Sequence, residues 1–131
     1  WEDLELFLTR KDENGKVWGP QEKLDKPTVL KTVTRWAADY VLKPDKLGSL
    51  EAGKLADLVV LDRDYLSTPD EQVSEIRSLL TLMDGKATFV DKDFAAEYNY
   101  RPAGAVIGTF QELKARRPAE RPEDLVGEGG G

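Results

Sequence analysis

The chain has 131 residues, 40% of them hydrophobic and 34% charged, with a formal net charge of −6. That length fits one domain able to bury a core, and that charge leaves no basic footprint for nucleic acid and no attraction to anionic membrane surfaces. Histidine and cysteine are both absent, which excludes disulfides, thiol chemistry, Ser-His-Asp and Cys-His catalysis, and zinc sites of the usual nitrogen and sulfur type.

The chain opens on WEDLELFLTR, without an initiator Met or a basic-then-apolar leader, which reads as a cut edge. No apolar run approaches the roughly 18 residues of a membrane span. A soluble, cytoplasmic setting is favoured, with the start of the parent protein out of view. Residues 2 to 9 suit a short helix, with Glu2 and Asp3 near its positive end. A loop follows, marked by the turn dipeptides Asn14-Gly15 and Gly19-Pro20. Asp25 is a plausible N-cap with Pro27 in the first turn. Apolar residues at Val29, Val33, Trp36, Ala37 and Tyr40 then predict one helix over about 27 to 42, stopped by Pro44.

Gly48 and Gly53 lie within the stretch LGSLEAGKLADLVVLD, Leu47 to Asp62. It reads as an exposed turn at 51–54 leading into a strand over 56–62 that is buried on both faces. Asp57 is placed to accept a local backbone amide at the strand's start. Thr68, Pro69 and Glu71 have the spacing of a capping box for a short helix. Asp84-Gly85 between strand-like flanks, 79–83 and 86–90, predicts a two-residue hairpin. Beyond Asp91 the pattern weakens into irregular structure. Thr109 with Glu112 suggests a short helix through Ala115, and residues 118–131 have the composition of a disordered tail.

GSLEAGKLADLVVLDRD, taken with the preceding helix, the capped turn and the Gly-tipped hairpin, resembles the C-terminal stretch of metal-dependent amidohydrolases, the superfamily of urease, dihydroorotase and hydantoinase. TRKDENGKVWGPQEKLD resembles the branch often called the amidohydrolase-3 group, which acts on N-substituted amides. The likeness covers roughly residues 4 to 90. One departure is Ala52, where the family usually has Pro; the turn loses the restriction that Pro gives the unfolded chain.

The resemblance implies an α/β parent, α+β in this isolated piece. Residues 1–46 would end a TIM-like barrel, 47–95 would be strands of its small β-sandwich, 96–117 an extension, and 118–131 the tail. In that superfamily the metal is held by a His-x-His pair, a carboxylated lysine or acidic residue, two further histidines and an Asp on the last barrel strand. All of these lie upstream of the matching segment, and an eight-stranded barrel needs about 250 residues. The resemblance therefore implies a parent that hydrolyses C–N bonds with one or two divalent ions (zinc, iron or manganese), and a chain with no catalytic, cofactor-binding or metal-binding residues of its own. Its partners would be the rest of that parent, or a second copy through self-association or strand exchange. The alternative is a stand-alone, non-catalytic structural or interaction module derived from such an enzyme.

Other patterns are set aside on the residues. Asp57, Asp62 and Asp64 are oxygen donors of the kind calcium or magnesium accepts, but their spacing is not that of an EF-hand, and solvated charges are ordinary at a strand exit. Nothing among 25 acidic residues singles out a glycosidase pair. Neither G-x-G-x-x-G nor G-x-x-x-x-G-K-[ST] occurs, so Lys54 is a turn lysine. Arg10-Lys11 and Arg116-Arg117 read as solvated charge rather than an anion site. Trp36 and Tyr40 suit a core, or a face that packs on the barrel. Trp1 and Trp18 lie in poorly patterned segments where exposure is expected.

Overall fold

The computed structural model describes residues 1–104. Helix α1, Glu2–Thr9, carries three acidic residues in its first turn, where the helix dipole favours them. Leu4 and Leu8, one turn apart, are buried. The helix stops at Arg10 in the left-handed conformation, φ 58°. A reversal over 11–17 follows, closed by a bridge between Lys11 and Val17. Gly15, at φ 78°, supplies its turn. A 3₁₀ turn, Pro20–Glu22, leads to α2.

The single helix predicted over 27–42 is two helices: α2, Lys26–Thr32, and α3, Arg35–Tyr40. The start is as expected, with the Asp25 carboxylate accepting the Thr28 N–H at 2.7 Å. The break falls on Thr32-Val33-Thr34, three β-branched residues in a row. The Thr32 and Thr34 hydroxyls donate to the carbonyls of Val29 and Leu30 at 2.6 and 2.7 Å. Such back-bonding competes with the helical ladder and bends it. Thr34 leaves helical geometry at φ −123°, ψ −92°, and α3 restarts with the Ala38 N–H donating to the Thr34 carbonyl.

Among the described residues the sheet has three antiparallel strands in the order β1-β2-β3: β1 Leu58–Leu61, β2 Ser78–Met83, β3 Lys86–Val90. The fold class is therefore α+β. Asp84 and Gly85 join β2 and β3 with φ of 50° and 74°, the pair of positive values that a type I′ turn requires. In β1, Val59 lies opposite Thr81 and Val60 opposite Leu80. Leu61 then lies opposite Ser78, so Leu79 is an extra residue bulged out of β2. The predicted strand over 56–62 is thus shorter, and it is not buried on both faces. It is an edge strand, and Val59 is 47% exposed.

The predicted capping box does not form. The Thr68 hydroxyl turns back to the Asp64 carbonyl at 2.7 Å, Glu71 pairs with Lys11, and Asp70–Glu75 is a 3₁₀ helix with no side-chain cap. Beyond Asp91, the predicted irregular region holds a further helix, α4, Lys92–Tyr98. The Asp91 carboxylate caps it by accepting the N–H groups of Asp93 and Phe94. The helix expected over Thr109–Ala115 and the expected tail lie outside the described residues.

Among the described residues two apolar cores result. The first joins α1 and α2 to the segment after β1 and contains Leu4, Leu8, Val29, Tyr65, Val73 and Ile76, with Leu61 and Trp1 against it. The second lies between the sheet and α4, around Leu80, Val90 and Ala95, with Val60 and Phe94 packed on it. Trp1 is thus not the exposed residue expected: its ring centroid is 6.2 Å from that of Tyr65.

Candidate functional site

The stretch that carries the signature, 47–62, folds as a closed loop followed by the edge strand. The Leu55 N–H donates to the Lys46 carbonyl at 2.9 Å and shuts the loop. Gly48, at φ +88°, lies against α3. A β-carbon there would come within 3.1 Å of the Thr34 carbonyl oxygen and of the Arg35 Cα, so the residue must be glycine for two reasons. Gly53, at φ +90°, has open space around it and is needed only for its backbone angle.

Lys54 is a turn lysine, and it has a definite task. Its Nζ donates to the Ser49 hydroxyl at 2.7 Å and to the Leu47 carbonyl at 3.4 Å. Ser49 in turn donates to Glu51 Oε1 at 2.5 Å, and the Arg35 guanidinium stands 3.8 Å from the same oxygen. The Ser49 hydroxyl, with Lys54 beside it, holds the Glu51 carboxyl below the ordinary range. This network pins the loop to the N-terminal end of α3. The Lys54 ammonium is thereby spent inside its own loop.

The three aspartates are also committed. Asp57 accepts a backbone amide, but that of Asp84 at 2.8 Å, 27 positions away rather than local. It ties the strand's entry to the hairpin tip. Asp62 accepts the Arg77 N–H at 3.0 Å and pairs with the Arg63 and Arg77 guanidiniums at 3.2 and 3.6 Å. Burial works against its charge, but the Arg77 amide and the two guanidiniums outweigh burial and hold the carboxyl below the usual aspartate range. Asp64 accepts the Leu66 N–H at 3.0 Å, and the Ser67 hydroxyl and that amide lower its pKa.

The divalent ions of the resembled superfamily do not fit these donors. The sequence holds no imidazole or thiolate. Among the described residues no group of three or more acidic side chains is placed to hold an ion. Asp57, Asp62 and Asp64 each direct an oxygen at a backbone amide instead of converging on a common point. No catalytic step is assigned to them.

Lys26 is the polar residue that the sequence reading missed. It is mostly buried, donates to the carbonyls of Leu66 and Thr68, and stands 3.3 Å from Asp70. It fastens the segment after β1 over the start of α2, where the Tyr65 hydroxyl also donates to the Lys26 carbonyl at 3.3 Å. No local pattern marks it, because its partners lie about 40 positions on.

The aromatic residues divide. Trp18 is exposed, with its indole N–H on Asp12 at 2.8 Å and Lys16 Nζ 3.6 Å from the ring centroid. Trp36 and Tyr40 are not core: they are 50% and 89% exposed, on a helix whose neighbours Val33 and Val41 are also exposed. Arg10 turns its Nε to the Trp18 carbonyl at 3.1 Å, and Arg116-Arg117 lie outside the described residues. No helix among the described residues is long and apolar enough to cross a membrane.

A sequence profile of the amidohydrolase family matches residues 1–89, more than half of the chain. The match takes in α1 to α3, the connector, β1, β2 and nearly all of β3. The chain belongs to the amidohydrolase family. Comparison with curated proteins and with solved structures finds no match.

Proposed function

We propose that this chain is the C-terminal portion of a metal-dependent hydrolase of the amidohydrolase-3 group, acting on C–N bonds of non-peptide amides. Its own role is structural. Residues 1–46 supply the last helices over the barrel, and the strands supply part of the small β-sandwich. The metal ligands and the reacting groups belong to the barrel, outside this chain. The observation that carries the reading is the pairing of a family match over 1–89 with a sequence free of histidine and cysteine, in which no acidic group among the described residues is placed to hold an ion. The uncovered apolar residues support it: Trp36 and Tyr40 on α3, Leu42 and Leu50 beyond it, and Val59 on the sheet are exposed. That is the surface expected of an element whose neighbours are elsewhere.

The size of the natural polypeptide tests this. An antibody raised against the 131-residue chain should detect a protein several times larger. Captured from cells, that protein should carry stoichiometric zinc, iron or manganese and hydrolyse N-acyl or cyclic amides. A natural polypeptide of this chain's own size would overturn the reading, whether it proved active or inert.

A further inference from the structure

β3 lies at one edge of the sheet, and its outer side is not open. Val90 is buried, and buried backbone groups need partners. The Asp91 N–H turns to β2, where the Leu79 carbonyl accepts it at 2.8 Å. Val90, one residue earlier, turns its backbone outward, and Ala103 meets it there. The Val90 N–H donates to the Ala103 carbonyl at 2.9 Å, and the Ala103 N–H donates to the Val90 carbonyl at 3.4 Å. Gly104 then lies over Phe89. At its φ of +82°, a β-carbon would stand 3.0 Å from Phe89 Cδ2 and 3.2 Å from the Thr88 carbonyl oxygen, so glycine is what lets the chain come this close. The end of α4 delivers it. Asn99 closes the helix in the left-handed conformation, φ 56°, and the N–H groups of Asn99 and Tyr100 both donate to the Ala95 carbonyl. The Tyr98 and Tyr100 rings stack on Phe94, with centroids 4.6 and 6.2 Å away, and Pro102 stiffens the final step.

We propose that residues 99–104 are an edge guard: a strap, latched at Val90 and Phe89, that denies the outer side of β3 to any other strand. An open edge is a template for pairing, and proteins blunt it with a bulge or by laying a loop along it. β3 has both. Phe89 lies opposite Thr81 and Ala87 opposite Leu82, so Thr88 is an extra residue that breaks the spacing of the edge. The bulge spoils the middle of the strand, and the strap occupies its end. A strand from any source, the rest of a parent protein included, finds this edge taken. The latch is slight. It consists of the Ala103 pair, the Ala103 methyl against the second core, and the close contact at Gly104. The helix before it is held separately, through Ala95 and Phe94 in that core. The strap therefore opens at lower cost than α4 leaves the sheet, and its opening bares the Val90 N–H and C=O.

The test uses the 131-residue chain. Gly104→Val puts a branched side chain where a β-carbon already has no room, and should unlatch the strap. Amide exchange at Val90 should then rise about tenfold or more, while Asp91 and the amides paired between β2 and β3 keep their protection. Light scattering over a concentration series should show self-association strengthened about tenfold or more over the unaltered chain. Thr88→Lys, added to Gly104→Val, places a charge on the exposed edge. It should return association to its starting level and leave Val90 exchange fast. Unchanged Val90 exchange in Gly104→Val overturns the proposal, because the strap is then not latched there. Fast exchange without stronger association overturns it too, because the strap then guards nothing. So does association that Thr88→Lys leaves in place, since it would run through another surface. Loss of protection throughout β2 and β3 would make residues 99–104 part of the core rather than a strap upon it, and equally overturns it.

Discussion

Gly48 and Ala38 are packed so closely that a β-carbon on the glycine would stand 2.8 Å from Ala38 Cβ. The contact is where the signature loop meets α3. Gly48→Ala must therefore both overpack that junction and hold an L-residue at φ +88°. The expected loss is about 2–5 kcal/mol. Gly53→Ala meets no neighbour and should lose only the backbone part, about 1–2 kcal/mol. Urea titration of the two variants side by side checks the difference. Equal losses would show that the packing at Ala38 is not the cause.

Val73 is fully buried in the first core. Val73→Ala removes two methyl groups into a site with little room to collapse, and should cost about 2 kcal/mol. Val59→Ala, on a half-exposed side chain, should cost well under half of that. Denaturant midpoints with unchanged slopes would report both as pure stability effects.

The cap on α2 is a separable element. Asp25→Ala leaves the Thr28 amide without its acceptor and should destabilise the chain by about 1 kcal/mol, and Asp25→Ser should recover most of it. Thermal unfolding followed by circular dichroism distinguishes the two. If Ser and Ala behave alike, the carboxylate is not acting as a cap.

Asp62 links stability to pH. Its folded pKa lies below the ordinary 3.8, so the unfolded chain takes up the proton first as pH falls. Its contribution is complete above about pH 5 and is lost as pH drops through the folded value. Asp62→Asn should therefore lower stability near neutrality and flatten the acid limb between about pH 5 and 2. A variant whose stability runs parallel to the parent's across that range would refute the link.

The locally encoded features were legible in the sequence. Asp25 and Pro27 marked the start of α2. Asp84-Gly85 marked the hairpin, because only residues tolerant of positive φ make that turn. The family resemblance rested on residues that now prove to close and pin one loop: Gly48, Gly53 and Lys54. What escaped was decided at a distance. Thr32 and Thr34 flank Val33, a position of the apolar period, and the period hid the back-bonding that splits the helix. Thr68 and Glu71 had the spacing of a cap, but Asp64 and Lys11 took the groups first. Leu58–Leu61 read as doubly buried because an unbroken apolar run gives the strand and not its place in the sheet. Asp91 is a good N-cap, but the apolar pattern behind it is too weak to announce the helix it starts. Lys26 had no local signal at all, since the carbonyls it holds arrive from a later segment.

Val60 and Leu61 are neighbours in the chain, yet they belong to different cores, Val60 to the one under α4 and Leu61 to the one beneath α1. A pleated strand sends adjacent side chains to opposite faces, so β1 is the party wall between two rooms. Cooperativity between the halves then runs through this strand. Loosening β1 would leave each half to melt on its own, with two transitions in place of one. The shortest strand in the sheet thereby determines whether the polypeptide unfolds as one unit or as two.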